Sequence, residues 1–288
     1  MARPRDSIYT FGVWQIMRIL VSVDIEGLNG LTHGSQVLPE MREYSLGREI
    51  ATRSINATTK GIRSGGADKI YVVDAHDENR NIRVLELDNM VHLISGYPKP
   101  LSMVEGIKTC DKAFLLGYHS KAGTISGVLD HTYSTNVHRL KVNGEEMGEI
   151  GLSAGVSGFF GKPVVFFAGD KAAVSEAGKV IEEAEFVVLK EGISRYSATN
   201  MPVETSNDEL TSAAKRATAL KGKTFSVESP VGISLEFQNS GMADSCMIFP
   251  GIDRIDAYTV AIDAENILQA YQIFRILLSL SKTDHGNY

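Results

Sequence analysis

The chain has 288 residues, 43% apolar and 22% charged, which is ordinary for a globular protein and enough for one large or two modest domains. A net charge of −6 argues against nucleic acid as the main partner, since that role needs a basic face. No apolar run reaches the ~18–20 residues of a membrane span, and two cysteines, Cys110 and Cys246, make no disulfide framework, so a reduced cytoplasmic setting is expected.

In chain order, residues 1–16 read as an extension outside the fold. Arg3 and Arg5 precede a short apolar part broken by Gln15, and no small-residue cleavage site follows. Met17 would make a natural start, and Trp14, the sole tryptophan, lies before it. Arg18–Val23 then reads as a buried strand running directly into Asp24 and Glu26. Side chains alternate along a strand, so residues two apart project from the same face. Two carboxylates that close repel unless something positive sits between them.

The pattern recurs. KIYVVDA, residues 69–75, is a second apolar strand and delivers His76; AFLLGY, residues 113–118, is a third and delivers His119. In open α/β sheets, ligands bind at the carboxyl ends of the strands. Between the first two strands lie a glycine-rich loop with His33, weighed as a ligand or a solvated side chain, and a helix expected over Pro39–Gly61 and closed by Gly65–Gly66. This is a β-α-β unit, which implies parallel strands. Asp74 and Asp77, flanking His76, read as turn residues or as partners that orient the imidazole.

Beyond His76 the spacing allows a helix or short strand over Val84–Ile94 and a short helix or ordered loop over Leu101–Ile107. His131 follows a stretch with Gly123 and Gly127 as hinges, and HRLKV reads as a strand closed by an Asn143–Gly144 turn. Glu145–Phe160 reads as a helix with Glu149 near its start. Pro163–Ala168 is a strand, Lys171–Ala184 a helix and Phe186–Leu189 a strand. A linker is expected near residues 195–205, then a helix over Asn207–Leu220, strands over Val231–Phe237 and Ala257–Ile262, and a last helix capped by Asp263 and running to Leu280. The expected architecture is α/β: a mostly parallel sheet flanked by helices over residues 17–200, with a smaller C-terminal α/β portion over 201–288.

The chemistry-bearing set is Asp24, Glu26, His76, His119 and Glu149. Imidazole with carboxylate suits zinc, with manganese or cobalt as substitutes. Five side chains exceed one closed tetrahedral site and suffice for two metals if Asp24 bridges. Such a pair can activate water and polarise a carbonyl or phosphoryl oxygen. Taken singly, each residue has a bland reading as turn residue, helix cap or solvated side chain; the convergence of three strand ends carries the argument. Nucleophilic alternatives are weaker, because the chain has no G-x-S-x-G elbow, P-loop or dinucleotide fingerprint. His131 is the remaining acid/base candidate.

SVDIEG, DAHDENRN, KPLSMVEGI, LGYHSKAG, GVLDH and GEIGL, in this order, resemble the zinc-dependent D-aminopeptidases of the bacterial dipeptide-transport operon. The similarity runs from about Arg18 to the C-terminal helix. It implies a two-zinc peptidase that releases N-terminal D-amino acids from short peptides. Asp24, Glu26, His76, His119 and Glu149 match the family's zinc ligands, and His131 its catalytic histidine. It also implies a homo-oligomer, a decameric ring, while the net charge and the lack of a long apolar run point to no nucleic-acid or membrane partner. The rival enzyme reading is a metal-dependent amidase or phosphoesterase, for which Lys121, Arg80 and Arg139 would supply basic residues. A rival of another class is a non-catalytic peptide-binding module.

Overall fold

The structure is a computed structural model and describes residues 16–282. The expected N-terminal extension and Trp14 thus lie outside the described residues, apart from Ile16. The elements are β1 (Arg18–Val23), α1 (Gly34–Val37), α2 (Tyr44–Ser64), β2 (Lys69–Asp74), β3 (Val91–Ile94), β4 (Lys112–Tyr118), β5 (Val137–Val142), β6 (Glu145–Glu146), α3 (Glu149–Phe159) and β7 (Val164–Asp170). They continue with α4 (Lys171–Ala177), β8 (Glu185–Ser194), β9 (Ser197–Asn200), α5 (Val203–Ala219), β10 (Val231–Phe237), α6 (Ser240–Cys246), β11 (Asp253–Arg254), β12 (Thr259–Ala264) and α7 (Ile267–Leu280).

Seven strands form the main sheet in the order β3-β2-β1-β4-β7-β8-β9. β1 sits centrally between β2 and β4, parallel to both, and only the β8–β9 pair is antiparallel. The mostly parallel α/β architecture expected from the sequence is therefore present. β1 is covered on both faces, as a central parallel strand must be. Ile19, Val21 and Val23 enter the core shared with α2 and α5, while Leu20 enters the core shared with α3 and the second sheet. Ile25 and Leu28 continue on the α2/α5 side. Ser22, on the other face, bonds Met103 O at 2.6 Å and the Tyr118 hydroxyl at 2.7 Å.

The second sheet has five strands in the order β11-β12-β10-β5-β6, all antiparallel. It draws β5 and β6 from the middle of the chain and β10, β11 and β12 from its end, and α7 packs against β10 and β12. The hairpin of β5 and β6 turns at Asn143 and Gly144, both left-handed at φ 50° and 85°. That pairing takes Glu145 and Glu146 out of the helix expected there, so α3 begins at Glu149.

Other boundaries moved for local reasons. α2 begins at Tyr44, five residues after Pro39, behind a turn in which Glu40 adopts φ 65°. α4 stops at Ala177 with Gly178 as its C-cap. Ser197–Asn200, inside the expected linker, is instead the edge strand of the main sheet. Asp263 pairs across to Gly232 as part of β12, and Asn266 caps α7 by accepting from Gln269 N. Among the described residues no helix is long and apolar enough to cross a membrane.

Two glycines let the ligand-bearing strand ends close on each other. Gly27 N donates to Gly117 O at 2.8 Å, and a Cβ on Gly27 would sit 1.9 Å from Tyr118 O. Gly117 takes φ 75°, and a Cβ there would sit 2.2 Å from Asp24 O. A side chain at either position would push the end of β4 away from the loop after β1.

Candidate metal centre

The carboxyl ends of β1, β2 and β4 meet the N-terminus of α3 at one buried cluster. β1 delivers Asp24 and Glu26, β2 delivers His76, β4 delivers His119, and α3 opens with Glu149. All five are at most 5% exposed. His131 comes in on the loop between β4 and β5, and its ring stacks on His119 with centroids 4.0 Å apart. The structure thus brings together all six residues singled out from the sequence.

Each imidazole is oriented by a backbone carbonyl. His76 Nε2–H donates to Val37 O at 2.7 Å, His119 Nδ1–H to Ser120 O at 2.9 Å, and His131 Nδ1–H to Leu129 O at 2.8 Å. A neutral imidazole has one N–H, so in each ring the other nitrogen presents a lone pair. Those lone pairs face carboxylates. His76 Nδ1 lies 3.2 Å from Asp24 Oδ1 and 2.9 Å from Glu26 Oε2. His119 Nε2 lies 3.4 Å from both Asp24 Oδ2 and Glu149 Oε1. His131 Nε2 lies 3.9 Å from Glu26 Oε1 and Glu149 Oε1.

Lone pair against carboxylate is repulsive unless a proton or a metal cation sits between them. Asp24 Oδ2, Glu26 Oε2 and His119 Nε2 are buried with no hydrogen-bond partner, although such atoms are normally satisfied. Buried atoms of this type, converging from several directions, fit a divalent cation. The ligating atoms of Asp24, Glu26 and His119 lie within 4.8 Å of one another, as do those of His119, His131 and Glu149.

Left to themselves these groups shift one another strongly. Burial, then the Glu26 charge, pushes the Asp24 carboxyl up to about 7. Burial opposes ionisation of Glu26 and Glu149 too, but His76 beside the first and His119 beside the second hold both below the usual carboxylate range. Burial lowers His76 and His119, and the charges of Glu26 and Glu149 respectively more than reverse it. His131 is held down, first by burial and then by His119, which favours the neutral ring.

Other candidates take structural places. His33 caps α1, accepting from Ser35 N at 3.1 Å, and touches none of the cluster's carboxylates. Asp74 accepts from Asn81 N at 2.6 Å and Asn81 Nδ2 at 2.8 Å, so it shapes the loop after His76 without touching the ring. Asp77 adopts φ 44° in that loop and lines the cleft. The basic residues offered for a phosphoesterase point elsewhere: Lys121 pairs with Glu146, Arg80 with Glu78, and Arg139 with Glu146 and Glu236.

Some contributors had no sequence signal. Tyr133 N–H donates to Glu149 Oε1 at 2.6 Å, from a residue at φ 60°. Asp130, next to His131, pairs with Arg195 at 2.7 Å and accepts from Gly123 N at 2.7 Å, which fixes the His131 loop. Lys99 Nζ donates to Asp74 O at 2.7 Å and to Asn79 Oδ1 at 2.5 Å, bracing the loop of His76. Only a lysine set in an apolar strand, as in VVLK, could have hinted at the similarly buried Lys190.

The cluster forms the floor of a cleft of about 760 Å³. The cations lining it are Arg195, from the β8–β9 turn, and Arg275 and Lys282, from α7 and just beyond. A smaller hollow of about 250 Å³ over the second sheet holds Asp253, Asp263 and Lys141 but no imidazole.

The sequence signature of the D-aminopeptidase family matches residues 17–276. The chain belongs to this family. Every residue of the cluster falls inside the matched region. The chain is also similar to a D-aminopeptidase of Bacillus subtilis (strain 168), with 33% identity over 269 residues that cover 92% of this chain and 98% of that protein. Among solved structures it is similar to the Zn-dependent D-aminopeptidase DppA from Bacillus subtilis, a self-compartmentalizing protease. That likeness has a TM-score of 0.90 at 32% identity and covers 94% of this chain and all of the other.

Proposed function

We propose that this member of the D-aminopeptidase family is a two-zinc aminopeptidase that releases N-terminal D-amino acids from short peptides. One observation supports it most: the two oxygens of Asp24 face two matched half-sites. Oδ1 faces His76 with Glu26 beside it, and Oδ2 faces His119 with Glu149 beside it. On this reading Glu26 and His76 would hold one ion and His119 and Glu149 the other, with Asp24 facing both half-sites. When bound, the ions lower the pKa of water into the neutral range and polarise the scissile carbonyl.

The chain's own groups do the rest. The carbonyls of Val37 and Ser120 each accept from one ring N–H and so aim His76 Nδ1 and His119 Nε2 inward. Burial and His119 hold His131 toward the neutral ring, with Nδ1–H fixed on Leu129 O, so Nε2 is placed to take a proton and return it to the leaving amine. The cleft has room for a short peptide. Acidic side chains line its floor, while Arg275 and Lys282 offer cations to a peptide carboxylate and Arg195 is already paired with Asp130. The D-preference rests on the family and on the named relatives, assembly with further copies of the chain is supported by the self-compartmentalizing solved relative, and the cytoplasmic setting rests on the two cysteines, which are unpaired.

The rivals are less well supported. For a phosphoesterase, the basic residues offered from the sequence, Lys121, Arg80 and Arg139, are engaged elsewhere, and the family and named relatives are peptidases. A peptide-binding module has no use for five buried ionisable groups, each costly to bury without a partner. The expected result is that purified protein carries about two zinc equivalents per chain, and that a chelator removes both metal and hydrolysis. Elemental analysis finding no divalent metal in an active preparation would overturn the reading.

A further inference from the structure

Lys190 lies inside the main sheet on β8, 2% exposed, and does not line the cleft. Its ammonium donates to the carbonyl of Glu26 at 2.5 Å and to the carbonyl of Leu31. Both carbonyls belong to the loop after β1, the loop that carries the first two acids of the cluster. Across the sheet its register partner on β7 is Asp170, which is fully buried. Asp170 Oδ1 accepts from Ala173 N at 2.9 Å, and Oδ2 accepts from Val128 N at 3.3 Å, in the loop that carries His131. One buried lysine and one buried aspartate therefore reach the main chain of two loops that build the site.

A buried lysine satisfying two loop carbonyls is ordinarily a device of stability alone. The three carboxylates distinguish this one. Asp24 Oδ1 accepts from Ile25 N at 2.9 Å, and Glu149 Oε1 accepts from Tyr133 N at 2.6 Å. Among the described residues no backbone N–H donates to the Glu26 carboxylate, and its Oε2 has no hydrogen-bond partner. Apart from His76 Nδ1, 2.9 Å from Oε2, its place beside Asp24 follows from where its own main chain is held, and Lys190 holds that main chain together with the bond from Gly27 N to Gly117 O. Without that tie, repulsion between Asp24 and Glu26 favours an opened loop.

We propose that Lys190 is a positioning residue for the metal centre: by binding the carbonyls of Glu26 and Leu31 it sets the Glu26 carboxylate in place before a metal arrives. The inference rests on the metal-centre reading above. Such preorganisation raises metal affinity without a new ligand bond.

The test uses the full-length chain and zinc itself, with affinity read by chelator competition and coordination read from the absorption spectrum of the cobalt-substituted protein. Lys190→Met is compared with Leu210→Ala, a truncation within the α2/α5 core on α5, which supplies no residue to the cluster or the cleft. Loss of an outer partner of a metal ligand typically costs ~10–100-fold in affinity, and Lys190→Met is expected to fall there with an altered spectrum. Leu210→Ala is expected to lower thermal stability while keeping both readings. If Lys190→Met fails to fold, Lys190→Gln, which keeps one donor, is read in the same way. Wild-type affinity and spectrum in the folded Lys190 variant would overturn the inference alone. A wild-type chain that takes up no zinc would overturn the metal-centre reading and the inference with it.

Discussion

His119→Ala is expected to abolish hydrolysis and to empty at least one metal position. His119 is 2% exposed, and its Nε2 faces Asp24 Oδ2 and Glu149 Oε1 with no other partner. A methyl group offers no lone pair, so the half-site keeps two acids and loses the imidazole nitrogen that faces both of them. The remaining carboxyl groups are buried beside each other, and removing one partner of a buried charged group is strongly destabilising, by roughly 3–5 kcal/mol in comparable buried pairs. The loss should exceed the ~10–100-fold seen when only an outer partner is removed. Metal content by elemental analysis and turnover on the same preparation check it. Full metal occupancy in an inactive variant would move His119 from ligand to acid/base residue.

His131→Ala is expected to behave differently. It should keep the fold and both metals and lose turnover by ~10²–10⁴-fold, the usual contribution of general acid/base assistance. The geometry separates the two histidines by degree. His131 Nε2 stands 3.9 Å from its nearest carboxylates against 3.4 Å for His119 Nε2, and its side chain is 20% exposed against 1%. Its atoms nevertheless lie in a metal-sized group with His119 and Glu149, so metal content is the deciding measurement. Near-normal turnover would make His131 a bystander; loss of a metal equivalent would make it a ligand.

The centre of the molecule was legible because its signals are local. A buried parallel strand is an apolar run, and β1, β2 and β4 each end at a residue that does not belong to that run. Alternation along the strand put Asp24 and Glu26 on one face, and in the structure Ile25 between them enters the opposite core. Elements without a strong pattern moved. Ser197–Asn200 is a polar edge strand, and such a strand carries no apolar stripe to read. Asp263 resembles a helix cap, yet its backbone is claimed by pairing with β10 and the cap passes to Asn266. Glu145 and Glu146 are good helix formers recruited into a hairpin by the Asn143–Gly144 turn.

The supports of the site were not legible, for a different reason. Val37 O, Ser120 O and Leu129 O fix the three imidazoles, and a backbone carbonyl leaves no mark in a sequence. Tyr133 acts through its N–H, which any residue but proline supplies. Lys99 and Lys190 act on carbonyls of loops distant along the chain, so only the assembled fold pairs them.

The most direct test of the two-zinc D-aminopeptidase reading is hydrolysis of matched D- and L-aminoacyl peptides by protein of defined metal content. Chelator-stripped protein should cleave neither series, and restoring zinc to about two equivalents per chain should restore release of the N-terminal residue from the D-series in preference to the L-series. Cleavage that survives complete removal of metal, or a zinc-restored protein that cleaves only the L-series, would contradict it.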